Sequence, residues 1–137
     1  MQFTTTLLTS AIFLSSYASA HFVLNYPTSL GFDDDNEGQY PCGGEDIVFA
    51  GNETSVPVSG FNVALRSTHP SSNFSYRATL DQQAPFNWIE LLAVSETGVG
   101  DFCLQGIKAP SNWTGKTGLV QVVGNAVDGS LYQVCFF

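Results

Sequence analysis

The chain is poor in positive charge. Of its 137 residues 4 are Lys or Arg and 12 are Asp or Glu, a formal net charge of −8. So acidic a chain is a poor match for a nucleic-acid backbone or an anionic lipid surface, both of which recruit clustered cations. Its histidines number 2, His21 and His69, and its cysteines 3, Cys42, Cys103 and Cys135. There is no Gly-x-Ser-x-Gly elbow and no His-Glu-x-x-His pair, so the commonest hydrolase signatures are missing. No stretch after residue 20 is apolar and long enough to span ~30 Å of hydrocarbon. Internal repeats and low-complexity segments are absent as well.

The first twenty residues have a different character. Polar MQFTTT leads into apolar LLTSAIFLSSY and then Ala18-Ser19-Ala20. Small residues at both positions read by a signal peptidase mark a secretory signal, although the leading segment has no Lys or Arg. The apolar run is too short and too rich in Ser and Thr for a membrane anchor. Cleavage is expected after Ala20, leaving one domain over residues 21–137 and directing it outside the cell. Three sequons fit that compartment: Asn52-Glu53-Thr54, Asn73-Phe74-Ser75 and Asn112-Trp113-Thr114. Each is an acceptor for an N-linked glycan.

The remainder reads as β structure. HFVLNY (21–26), SVPVSGFNVALRS (55–67) and NFSYRATL (73–80) alternate apolar and polar residues. NWIELLAV (87–94), DFCLQGI (101–107), GLVQVVG (118–124) and SLYQVCFF (130–137) follow, punctuated by Gly, Pro, Asn and Asp. Short strands at this spacing predict an all-β antiparallel sandwich. The long stretch after the first strand, PTSLGFDDDNEGQYPCGGEDIV, is expected to be functional or tied down.

Cleavage after Ala20 would make His21 the first residue. An N-terminal histidine offers one metal ion both its α-amino nitrogen and its imidazole Nδ1. The α-amino pKa, ~7.7–8.0, lets a metal displace the proton near neutral pH. A second imidazole adds a third nitrogen, and tetragonal nitrogen ligation selects Cu(II). This arrangement is a histidine brace, with His69 the candidate third nitrogen.

The motifs HFVLNYP, GFDDD, YPCGG, GDFC, GLVQVV and SLYQ occur in this order, with the lone His69 between the third and fourth. In this the chain resembles the fungal lytic polysaccharide monooxygenase-like copper proteins, also called copper acquisition factors. The resemblance runs from His21 to Gln133. It implies an immunoglobulin-like sandwich holding one copper ion through His21 and His69. It also implies secretion, surface attachment by a glycolipid anchor, and copper uptake without polysaccharide oxidation. The expected partners are a copper ion and a membrane copper transporter, with the protein itself monomeric.

The ending departs from the family pattern, which continues L-Y-Q-C-A-D into a Ser-rich tail and an apolar anchor signal. Here the chain reads L-Y-Q-V-C-F-F. Two readings follow: a divergent short member with Cys135 shifted by one place, or, as expected here, a domain incomplete at its C-terminus with VCFF read from an unspliced intron. A last strand cut at Phe137 would leave its neighbour short of partners. If Cys135 is native, Cys42 would staple the long loop either to the last strand or to Cys103, a pairing the sequence leaves open. Closing such a loop contributes roughly 2–4 kcal/mol. The family also places an aspartate near copper. Asp34, within the run Asp33-Asp34-Asp35, and Asp101 are the candidates for a third ligand or for a group orienting one. The alternatives are an active polysaccharide monooxygenase, for which no aromatic platform is evident, and a metal-free cell-wall adhesion module.

Overall fold

A computed structural model describes residues 21–127 and 129–137. The expected signal segment lies outside the described residues. The strands are β1 Phe22–Tyr26, β2 Phe61–Ser67, β3 Ser71–Thr79, β4 Ile89–Thr97, β5 Gly100–Ile107, β6 Leu119–Ala126 and β7 Gly129–Phe136. A 3-10 turn, Ser111–Trp113, precedes β6. One sheet has the order β1-β2-β5 and the other β4-β3-β6-β7, with every pairing antiparallel. The result is the all-β antiparallel sandwich that the alternation predicts, in line with the immunoglobulin-like sandwich that the resemblance implies.

The core follows from that alternation. Phe61, Val63 and Leu65 of β2 face Phe74, Tyr76 and Ala78 of β3 across the sandwich, and all six are buried. Burying a side chain of this kind stabilises the fold by about 1.5–3 kcal/mol. Phe22 of β1 meets Phe74 edge-on, with ring centroids 5.3 Å apart. Gly124 makes room for them, because a Cβ there would lie 3.0 Å from the Phe22 ring. The strand expected over 55–67 begins only at Phe61. Pro57 has no N–H for a ladder, and Gly60 N donates to Pro57 O in a turn just before the strand.

β6 is buried on both faces from Leu119 to Gly124. The long loop explains this. It lies across the outer face of the second sheet, where Leu30, Ile47 and Phe49 pack with Leu119, Val134, Phe136 and Cys42. Phe86 and Trp88 join this second cluster, and Trp88 Nε1 donates to Tyr40 Oη at 2.8 Å. Gly43 sits so close to β7, at φ +68°, that a Cβ would lie 2.6 Å from Tyr132 O. The loop is tied down, as its length suggests, by packing and hydrogen bonds.

β7 corrects two expectations. It pairs with β6 over its whole length, from Gly129 to Phe136, so β6 is not left short of a partner. The expected staple is absent too: Cys42, Cys103 and Cys135 are all free thiols. Strand alternation is the cause. Val134 and Phe136 face Cys42 in the outer cluster, whereas Cys135 points into the inter-sheet core. Cys103 is exposed on β5, away from both.

Burial pushes the Cys135 thiol up to about 12. Burial first, then the charges of Glu45 and Asp46, pushes Cys42 up to about 11. Both thiols therefore stay protonated in the folded protein while the unfolded chain ionises near the ordinary value of 9.0. Their contribution to stability is complete below that value and is lost as pH rises through the folded values. Iodoacetamide at pH 8 is expected to label Cys103 alone until the protein unfolds. The urea midpoint should fall between pH 9 and 11, and less steeply in Cys135→Val. Equal labelling of all three thiols in the folded state would contradict this placement.

Candidate metal centre

The site is built where β1 begins and β2 ends. Phe22 registers with Ser67, so His21 lies beside Thr68, one residue past the strand pair. Thr68 holds His21 through three bonds. His21 N donates to Thr68 Oγ1 at 2.8 Å, Thr68 N donates to His21 O at 2.9 Å, and Thr68 Oγ1 donates to that same oxygen at 3.0 Å. His69 follows immediately. It is 7 % exposed, and its backbone N donates to Ser67 Oγ at 3.2 Å. The sandwich thus brings both histidines to one end, although 47 residues separate His21 from Thr68.

The loop supplies the carboxylates. Asp33 folds it back: its side chain accepts from Asp35 N at 3.0 Å and from Asn36 Nδ2 at 2.6 Å. This Asx turn delivers Glu37 to the start of β1. Glu37 is 1 % exposed. One carboxylate oxygen lies 2.8 Å from His21 Nδ1 and the other accepts from Phe22 N at 3.2 Å. Its own carbonyl accepts from Tyr132 N at 2.8 Å, pinning the loop to β7. Burial pushes the Glu37 carboxyl above its ordinary value of 4.5, while the bonds from His21 and Phe22 pull against that rise.

Asp34 reaches the other side of the ring, with Oδ1 3.0 Å from His21 Nε2 and a side chain 66 % exposed. Phe32 closes over the imidazole edge-on, with centroids 6.2 Å apart. Asp101 is placed elsewhere. It pairs with Arg66 at 3.3 Å on the outer face of the first sheet, and both partners are well exposed. Such a pair contributes about 0–1 kcal/mol.

Glu37 is the residue that sequence reading passed over. In GFDDDNEGQY it looks like one more solvated acid, and no local periodicity marks it as buried. The hint was the Asp33–Asn36 turn signal, which bends the chain back before Glu37. A charge buried this deeply is kept only where it has partners, and here the partners are His21 and the β1 backbone.

Among the described residues no group of three or more His, Cys, Asp or Glu side chains forms a ready metal cage. The carboxylates meet the ring at different nitrogens, so they flank His21 and do not surround a common point. The donor types nonetheless fit a tetragonal N/O ion such as Cu(II). The site offers an imidazole fixed by a buried carboxylate, a second histidine beside Thr68, and a main-chain nitrogen that becomes an amine once the peptide bond before His21 is cut.

Comparison with known proteins agrees with the donor chemistry. Residues 19–136 match the domain described as copper acquisition factor BIM1-like. The chain is 31 % identical over 134 residues to a Yarrowia lipolytica protein named lytic polysaccharide monooxygenase-like protein X325, covering 90 % of this chain and 51 % of that one. It is 37 % identical over 93 residues to an uncharacterized protein of Aspergillus fumigatus, covering 65 % of this chain and 38 % of that one. The chain belongs to the BIM1-like copper acquisition factor family, whose description associates it with copper. It spans about half or less of the length of these two relatives.

Proposed function

We propose that the processed protein holds one Cu(II) ion outside the cell in a brace made by the His21 amine, the His21 imidazole and His69, and serves copper acquisition or homeostasis. The observation that carries this reading is the pairing of His21 with Thr68, which sets the only two histidines of the chain at one end of the sandwich. Thr68 would orient the amine. Copper at Nδ1 would replace the contact with Glu37, leaving Asp34 at Nε2 to orient the ring, as outer partners of metal-bound histidines do. Copper is cargo in this reading, taken up and passed on to a membrane transporter by a monomeric carrier at the cell surface.

The test is a competition titration against a chromophoric chelator. The chain beginning at His21 should take up one equivalent of Cu(II), and His69→Ala should weaken binding by about 100-fold or more. Unchanged affinity in His69→Ala would remove His69 from the site. Incubating the copper-loaded protein with ascorbate and a crystalline polysaccharide should release no oxidised oligosaccharides. Their appearance would replace the carrier reading with monooxygenase activity.

A further inference from the structure

At the same end of the sandwich, β3 carries the middle sequon. Asn73 is exposed and pairs across β3 with Ser95 of β4 on one side and Asn125 of β6 on the other. Its side chain is oriented: Ser95 Oγ donates to Asn73 Oδ1 at 2.6 Å. That bond engages the carboxamide oxygen and not Nδ2, the atom that bears an N-linked sugar. On the β6 side of Asn73 lies a hollow of about 310 Å³ lined by Ser71, Ser72, Asn73, Asn125, Ala126 and Val127. Val127 at its rim is an apolar side chain fully exposed to solvent. A pyranose offers what the hollow can use: hydroxyls for Ser71 and Asn125, and an apolar ring face for Val127.

We propose that Asn73 carries an N-linked glycan whose first N-acetylglucosamine occupies this hollow and covers Val127. The inference rests on the secretion reading, since the sugar donor is met only in the secretory path. In the transfer step Asn73 Nδ2 attacks the anomeric carbon of a lipid-diphosphate-linked oligosaccharide. The new N–C bond forms as the C–O bond to the diphosphate breaks, the lipid diphosphate leaves with the electron pair, and the amide proton passes to a base. The transferred sugar would rim the histidine-bearing end without using any group of the candidate metal centre.

The experiment is secretion of the full chain from a eukaryotic host, followed by glycopeptide mass spectrometry and melting after an endoglycosidase has trimmed each glycan to one sugar. The peptide containing Asn73 should carry one N-acetylglucosamine. The trimmed protein should melt about 2–4 °C above Ser75→Ala, a variant that loses the sequon but keeps the Asn73–Ser95 bond. Val127→Asp should cancel that difference. A secreted protein with Asn73 unmodified overturns the glycan, and equal melting of the trimmed protein and Ser75→Ala overturns its seat in the hollow; both leave secretion standing. A chain retained in the cell without any glycan overturns both.

Discussion

Replacing Gln133 with leucine is expected to lower the unfolding free energy by about 2–5 kcal/mol, a large share of the stability of a small domain. Gln133 is 2 % exposed on β7. It reaches across the sandwich to β1, the edge strand of the opposite sheet. Its Oε1 accepts from Leu24 N at 3.0 Å and its Nε2 donates to Phe22 O at 3.1 Å. Leu24 and Phe22 are themselves buried, so leucine would leave a donor and an acceptor unpaired away from water, at about 1–3 kcal/mol each. The urea midpoint should fall accordingly, and the amide of Leu24 should exchange faster than the core of β3. Gln133→Glu is a second probe: ionised, it sets a buried carboxylate against Phe22 O, and near neutral pH it should be at least as destabilising as Gln133→Leu. A leucine variant as stable as wild type would mean that β1 needs no bridge from β7. Because β1 leads directly into His21, its loosening should also weaken copper binding.

The second large effect is expected at Glu37. Glu37→Ala removes the carboxylate that meets the His21 ring and Phe22 N, leaving a buried N–H unsatisfied. A loss of about 1–3 kcal/mol should follow. Glu37→Gln keeps an acceptor for Phe22 N and should retain most of that stability. In place of the carboxylate it sets a neutral amide beside the imidazole nitrogen that copper would take. Because copper at Nδ1 displaces this contact, copper affinity in Glu37→Gln should equal or exceed that of wild type, while only the alanine variant unfolds early. A fall in the affinity of Glu37→Gln would contradict displacement and place the carboxylate in the bound site.

These two residues also show what the sequence made legible. The alternation in FNVALRS and NFSYRATL declared the inter-sheet face of β2 and β3, because each strand packs one face on the core and the pattern is local. His21 and His69 stood out as the two histidines of the chain, and the β1–β2 register sets them at one end of the sandwich. Glu37 was not, because its burial depends on a turn at Asp33 and on Tyr132, which lies 95 positions further along the chain. Gln133 stood in a recognisable SLYQ, yet its bridge to β1 joins the two ends of the domain and leaves no local trace. The cysteines failed as a prediction for a related reason. Whether Cys42 meets a thiol or Val134 turns on a single step along β7, and one step reverses the face of every side chain. Asp101 was plausible by type, but its register opposite Arg66 gave it a different partner.

A copper brace at this site requires His21 to come first. The decisive measurement is Cu(II) EPR on the chain beginning at His21, compared with the same chain carrying one extra glycine before it. One equivalent of copper should give an axial, nitrogen-coupled spectrum in the first, and the added glycine, which turns the amine back into an amide, should abolish it. Identical spectra from the two chains, or no bound copper in either, would contradict the brace and leave His21 as the residue that happens to follow a cleavage site.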